Sequence, residues 1–122
     1  VNLMSFGYKY GIPADADMVA DARFIANPHW QESLRAKTGN DIEVSDYVLS
    51  QPGVKDFEES YLETLKIVLA GYQRENKRFA TIAIGCTGGK HRSVALTNEI
   101  AARLAEDADI RVAISHRDLG RE

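Results

Sequence analysis

The feature that most restricts this chain is a basic, glycine-rich segment, Gly85–Ser93, placed between two apolar patterns of different period. The preceding run, Ala80–Ile84, is small and apolar on both faces, which is typical of a strand buried on both sides in a parallel sheet. The following stretch, Ser93–Glu106, has apolar residues at helical spacing. A strand that enters a helix through adjacent glycines predicts a loop whose backbone N–H groups converge at the positive end of that helix, where an anion such as phosphate is favoured.

The remaining apolar patterns predict three further strands and one long helix. Strands are expected at Val1–Phe6, at Met18–Ile25 and at Ile110–Ile114, each an apolar or alternating run that ends near a turn signal. Apolar residues at spacings of three and four from Val54 to Tyr72 predict the helix. The order of strands and helices predicts one α/β domain over residues 1–122, with a mostly parallel sheet of about four or five strands covered by helices.

Composition narrows the functional classes. The chain has 122 residues, of which 44% are hydrophobic, and this content suits one folded core rather than a disordered segment. A formal net charge of −3 argues against a general basic coat for nucleic acid. The lone Cys86 excludes an intrachain disulfide, so we expect a reducing cytoplasm. No apolar run approaches the roughly 20 residues of a membrane span, so we expect no membrane-spanning segment. No paired spacing of ligand residues indicates a metal site, and we expect neither a metal nor a cofactor.

The unusual residues follow the predicted strands. All three histidines, the only tryptophan and the only cysteine lie in segments that come directly after a strand. Because ligands bind at the carboxyl ends of strands in open α/β sheets, we expect these segments to form one pocket. The candidate phosphate-binding residues are Lys9, His29, Cys86, Thr87, Gly88, Gly89, Lys90, His91, Arg92 and Ser93. The candidates for RNA contact or for support of the site are Arg23, His116, Arg117 and Asp118.

The glycine-rich segment is not a nucleotide-hydrolysing P-loop. That motif requires a lysine followed by Ser or Thr and a glycine five positions before its second glycine. Here Lys90 is followed by His91, and Ile84 stands where the first glycine is required.

A second motif matches better and gives an alternative function. Cys86, Arg92 and Ser93 have the spacing C-x5-R-S of cysteine-dependent phosphatases, in which the loop lowers the thiol pKa and creates a thiolate nucleophile. Such an enzyme also needs a general acid for the leaving group, and Asp21 or Asp118 are the candidates. A small buried cysteine after a strand is the commoner structural reading of Cys86.

Several segments, taken in order, resemble the landmarks of one family. They are Ser5–Pro13, Asp21–Trp30, Leu34–Gly39, Tyr47–Val48, Ile82–Val94 and His116–Asp118. Together they are similar to the C-terminal domain of the RNase adapter RapZ, also described as the YvcJ-type nucleotide-binding protein family. The resemblance covers essentially the whole chain.

The resemblance implies a phosphofructokinase-like α/β subdomain that is not an enzyme and that self-associates. It implies binding of an amino-sugar phosphate, glucosamine-6-phosphate, and of small regulatory RNA for presentation to an endoribonuclease. An N-terminal P-loop nucleotide-binding domain of the family is not contained in these residues. RNA-binding members carry a basic tail, whereas this sequence ends in Asp118–Glu122. The implied ligand pocket falls on Lys9, His29, Thr87, Gly88, Gly89, His91 and Arg92.

Overall fold

The computed structural model describes residues 1–121 as a four-stranded parallel sheet flanked by helices. The order across the sheet is β2-β3-β1-β4. The strands are β1 (Asn2–Gly7), β2 (Met18–Asp21), β3 (Thr81–Cys86) and β4 (Ala113–His116). The helices are α1 (Glu32–Arg35), α2 (Ile42–Leu49), α3 (Val54–Arg74) and α4 (Arg92–Leu104), with short 3-10 turns at Tyr8–Tyr10 and Pro28–Trp30. The α/β class predicted from the sequence is confirmed.

The register brings the carboxyl ends of the strands to one edge. Gly7 at the end of β1 pairs with Cys86 at the end of β3, and Asp21 at the end of β2 pairs with Gly85. On the other side of β1, Ser5 pairs with His116, the last residue of β4. The loops that follow the four strands therefore leave the sheet at the same edge, as a parallel arrangement requires.

The central strands carry few polar residues because their side chains are buried in the core. Ile82 and Ala83 are successive residues of β3, so their side chains point to opposite faces, and both are completely buried. This confirms the expected burial of the strand on both faces. Helix α4 packs on β1 and β3, and its Leu96 and Ile100 are also completely buried. Each such side chain contributes about 1.5–3 kcal/mol relative to an exposed position. The amino end of α4 is therefore held firmly beneath the glycine-rich loop.

The second strand is shorter than predicted, because the run Met18–Ile25 leaves the sheet after Asp21. The ladder ends where the N–H of Ala22 donates to the carbonyl of Gly85. Arg23 then turns back, since its backbone N–H and its guanidinium both donate to the Asp21 carboxylate. The alternation of apolar and charged residues in this stretch reflects a turn rather than a continued strand.

The last strand is displaced from the predicted Ile110–Ile114 to Ala113–His116. Its partner β1 begins at Asn2, which lies opposite Ala113, so the preceding residues have no neighbouring strand to pair with. This shift places His116 within the strand rather than in the loop after it. No helix within residues 1–121 combines the length and apolar character that a membrane span requires.

Candidate phosphate-binding site

A cavity of about 360 Å³ lies at the carboxyl edge, between the glycine-rich loop and the segment that follows β2. Its exposed rim includes Lys9, His29 and Arg35, while Cys86 and Arg92 are buried in its floor. Four cationic side chains and two imidazoles line it, and among the described residues no carboxylate does. In a domain of net charge −3, this concentrates positive potential at one place. The lining residues are Lys9, Asn27, His29, Arg35, Cys86, Thr87, Gly88, Lys90, His91 and Arg92.

A larger cavity of about 580 Å³ lies at the opposite, amino edge of the sheet. The end of α3 and residues 107–111 line it, and they mix cations such as Lys66 and Arg111 with Asp107 and Asp109. Its two carboxylates offset half of the charge of its four cationic side chains, whereas no described carboxylate lines the smaller cavity. The helix that borders the larger cavity also turns its carboxyl end, which is the negative end of its dipole, toward it. Volume therefore does not identify the anion site here, whereas charge and helix direction do.

The beginning of α4 faces the smaller cavity. Thr87 and Gly88 follow β3, Gly89 adopts a φ of +75°, and the helix starts at Arg92. The first N–H groups of any helix lack intrahelical acceptors and carry the positive end of its dipole. The glycine-rich loop and the amino end of α4 therefore border the cavity together, and this arrangement favours an anion.

Arg92 contributes both to the scaffold and to the cavity. Only 5% of it is exposed. One terminal nitrogen donates to the carbonyls of Arg23 and Ile25, at 3.2 and 3.0 Å, and holds the turn that follows β2. The other donates to the Thr87 hydroxyl at 3.3 Å. Its Nε–H is buried without a partner among residues 1–121, and a buried donor of this kind is costly unless water or another group accepts from it.

His91 and Lys90 fasten the opposite wall of the cavity. Lys90 Nζ donates to the Arg35 carbonyl at 3.0 Å, and His91 Nε2 lies 3.2 Å from the same oxygen. Because a carbonyl only accepts, His91 must carry its proton on Nε2. Burial lowers the pKa of His91, and this outweighs the bond to Arg35, which acts in the opposite sense. Arg35 in turn donates from Nε to the His29 carbonyl at 2.8 Å.

Cys86 is arranged as a buried thiol at the floor. Its Sγ donates to the Ser93 hydroxyl at 3.1 Å, and only 2% of the cysteine is exposed. Ser93 is fully buried beneath it and does not line the cavity. The spacing of cysteine, arginine and serine thus brings the three residues together, as the alternative function requires.

The two candidate general acids, Asp21 and Asp118, have the wrong protonation state for a cysteine-dependent phosphatase. The Arg23 guanidinium beside Asp21 lowers the pKa of this carboxyl. Burial raises the pKa of Asp118, but hydrogen bonds from Arg117, from the Gly7 N–H and from Arg121 outweigh it, and the net pKa is lowered. Both carboxyls are therefore ionised at neutral pH, whereas a general acid must be protonated.

The residues predicted for RNA contact or for support of the site do not line the cavity. Asp118 is completely buried against Gly7 and two arginines. His116 lies between Ser5 and Asn98. Arg23 stacks on the ring of Tyr8 at 3.7 Å and pairs with Asp21. These residues make their contacts with the ends of the strands, outside the cavity. The cavity is not lined by Arg23, Gly89, Ser93, His116, Arg117 or Asp118.

Two lining residues were not predicted from the sequence. Asn27 caps the Pro28–Trp30 turn, because its side-chain oxygen accepts from the His29 N–H at 3.0 Å. An asparagine directly before a proline is a signal for such a turn. Arg35 lies on a short helix, and its contacts with the loop appear only after folding. No group of three or more histidine, cysteine, aspartate or glutamate side chains suited to a metal ion occurs in residues 1–121.

These features define an α/β domain with an electropositive, helix-capped cavity at the carboxyl edge of its sheet. The model of the RapZ C-terminal domain matches residues 1–120. The chain belongs to this family, and membership supports an adapter or regulatory role.

Several longer bacterial proteins are similar to this chain over all or nearly all of its length. The chain is 63% identical to a nucleotide-binding protein of Leifsonia xyli, of which it covers 41%, and 59% identical to a nucleotide-binding protein of Mycobacteroides abscessus, of which it covers 40%. A nucleotide-binding protein of Streptomyces griseus is 58% identical over 120 residues, or 36% of its length. The chain thus spans about two fifths of the curated relatives it matches.

Proposed function

We propose that this domain is the ligand-sensing part of a regulatory adapter, and that its cavity binds an amino-sugar phosphate such as glucosamine-6-phosphate. The observation that carries the proposal is the charge of the cavity, which four cationic side chains line at the amino end of α4 and to which no carboxylate of residues 1–121 contributes. A phosphate group matches such a set of donors in charge.

The size and polarity of the cavity support a small phosphorylated ligand. About 360 Å³ lies within the range of small-molecule sites and exceeds the space that one phosphate needs. The phosphate group is expected at the loop, near Thr87 and Gly88. The sugar then extends toward the rim, where the exposed His29 and Lys9 offer donors to its hydroxyl groups.

RNA is the proposed second ligand, to be presented to an endoribonuclease by an assembly of several copies in the cytoplasm. One RNA backbone phosphate resembles the ester of the sugar, so His29, His91 and Arg92 would serve both ligands in turn. The net charge of −3 limits the affinity of one copy. Several cavities aligned in an oligomer would supply the missing affinity through multivalency.

Calorimetry with matched ligands and variants tests the proposal. Glucosamine-6-phosphate should bind to the wild-type domain, whereas glucosamine, which lacks the phosphate, should not. Lys9→Ala should weaken binding by about tenfold or more, the effect of losing a hydrogen bond that involves a charged group. His29→Ala should weaken it by about threefold to tenfold, the effect of losing an ordinary hydrogen bond. Both variants change exposed residues. Lys66→Ala, at the exposed surface of α3, is the control and should bind as the wild type does. Equal affinity in the His29, Lys9 and Lys66 variants would contradict the proposal.

A further inference from the structure

Four polar side chains form a continuous hydrogen-bonded relay beside the cavity. Ser5 Oγ of β1 lies 2.7 Å from Nδ1 of His116 in β4. Nε2 of His116 lies 3.0 Å from Oδ1 of Asn98 in α4. Nδ2 of Asn98 donates at 2.8 Å to Oδ1 of Asn40, in the loop before α2. None of the four lines the cavity, but together they tie the sheet to the helix and the helix to the loop.

When the imidazole of His116 is neutral, each hydrogen bond of the relay has a defined donor and acceptor. The side-chain nitrogen of Asn98 donates to Asn40, so the side-chain oxygen of Asn98 faces His116. Because this oxygen only accepts, His116 must donate from Nε2. Nδ1 of His116 then accepts from the hydroxyl of Ser5. A second proton on Nδ1 would reverse that bond and force the Ser5 hydroxyl hydrogen to find another acceptor. Ser5 is completely buried, so this reversal is costly.

The far end of the relay holds a wall of the cavity. Asn40 is adjacent to Gly39, whose N–H donates to the Lys90 carbonyl at 2.9 Å. The backbone of Gly39 also lies tightly on the first turn of α4, since a Cβ there would come within 2.5 Å of the His91 carbonyl oxygen. A few residues earlier, the Arg35 carbonyl accepts from the Lys90 side chain. Movement of the 35–40 segment would therefore move the donors of Lys90 and His91.

We propose that His116, as the neutral Nε2–H tautomer, is a positioning residue for the cavity. It orients Asn98, which holds Asn40, and in this way keeps the 35–40 segment against the glycine-rich loop. The consequence for ligand affinity rests on the proposed function, whereas the position of the segment does not.

The surroundings of His116 keep it in that form at neutral pH. Ser5 of β1 and Asn98 of α4 face the ring and are uncharged. Arg117, the next residue along the chain, turns its guanidinium to Asp118. Burial lowers the pKa of His116 below its ordinary value. As the pH falls through this lowered pKa, Nδ1 of the imidazole gains a proton and can no longer accept from the Ser5 hydroxyl.

Hydrogen exchange at the Gly39 amide tests the positioning role without any ligand. His116→Leu removes both ring nitrogens, and Asn40→Ala removes the far end of the relay on an exposed residue. Each should speed exchange at Gly39, corrected for the intrinsic rate, by about threefold to tenfold, the factor of one net hydrogen bond. Gln73→Ala, an exposed amide at the end of α3, is the matched control and should leave Gly39 unchanged.

Two further variants separate positioning from general stability. His116→Gln keeps an acceptor and a donor but cannot be protonated. It should exchange at Gly39 as the wild type does at neutral pH and should lose the acceleration that the wild type shows at mildly acidic pH. The double variant His116→Leu/Asn40→Ala should weaken binding of inorganic phosphate no more than either single variant, about threefold to tenfold, because both break the same relay.

Each outcome decides the role of His116. Unchanged exchange at Gly39 in Asn40→Ala, or additive losses in the double variant, would overturn it, and the Asn40 variant gives this answer even where His116→Leu does not fold. Faster exchange at Gly39 in a domain that does not bind phosphate would support the positioning role and would contradict the proposed function instead.

Discussion

Gly89 and Gly7 are in backbone contact, since a Cβ on Gly89 would lie 2.7 Å from the backbone nitrogen of Gly7. Gly88, one residue earlier, is different: apart from its chain neighbours, a Cβ there would meet no atom of the described residues 1–121 within 4 Å. Two adjacent glycines therefore have separate reasons to be glycine. Gly89 is required by a positive φ and by contact with β1, whereas Gly88 leaves space at the lining of the cavity.

The first prediction separates these two glycines. Gly88→Ala should unfold at the wild-type temperature and should lose affinity for glucosamine-6-phosphate, because the added methyl group occupies ligand space. Gly89→Ala should lose about 1–3 kcal/mol of folding free energy, the typical cost of backbone strain, with contact against Gly7 in addition. Thermal unfolding and calorimetry on both variants measure this. Normal ligand affinity in Gly88→Ala would mean that the phosphate does not approach the loop backbone.

The second prediction concerns the dependence of stability on pH. Glu58 of α3 is only 5% exposed, and burial, followed by the nearby Glu99, raises its pKa despite its ion pair with Arg103. A raised pKa in the folded state means that its contribution to stability is complete below the unfolded pKa and is lost as the pH rises through the folded one.

Glu58→Gln removes this titration while keeping a hydrogen-bonding group for Arg103. Urea unfolding from acidic to neutral pH should show the variant gaining stability relative to the wild type as the pH rises. Glu59→Gln, an exposed neighbour on the same helix, is the control and should show no such trend. A constant difference between Glu58→Gln and the wild type across this range would show that Glu58 does not titrate abnormally.

The strongest local patterns predicted the fold and the loop that borders the candidate site. The apolar run before Gly85 and the helical spacing after Arg92 are both local, so β3, α4 and the loop between them followed from the sequence. The end of β2 did not, because Arg92, far along the chain, binds the carbonyls of Arg23 and Ile25 and fixes a turn there.

Contacts between distant residues account for the remaining differences. The start of β4 depends on where β1 begins, which a local alternation of apolar residues does not report. His116 was expected to follow its strand and join the cavity. It lies within the strand, and its ring faces Asn98 of α4 instead. Arg35 was missed because its role depends largely on its backbone carbonyl, which carries no signal of residue type.

The third prediction is that the domain does not hydrolyse phosphate esters. The Cys86 thiol faces Ser93, and both candidate acids are ionised at neutral pH, so the leaving group would receive no proton. Incubation with a chromogenic aryl phosphate and with glucosamine-6-phosphate should release no inorganic phosphate. Turnover that disappears in Cys86→Ser would replace the adapter function with that of a cysteine-dependent phosphatase.

The fourth prediction concerns competition between RNA and the sugar phosphate. If both use His91 and Arg92, added glucosamine-6-phosphate should reduce the amount of RNA retained in a filter-binding titration. RNA affinity should fall steeply with salt, because several counterions are released, while the affinity for the metabolite should fall less. RNA binding that ignores the metabolite and survives His91→Ala would instead show that the two ligands have separate sites.

The most direct test of the phosphate-binding cavity is the map of backbone amide shifts when glucosamine-6-phosphate is added to the isotopically labelled domain. The amides of Thr87, Gly88 and His91 should shift together with one dissociation constant, and glucosamine should leave them in place. Shifts confined to the larger cavity, at Lys66 and Arg111, or the same response to glucosamine as to its phosphate, would contradict a phosphate site at the amino end of α4.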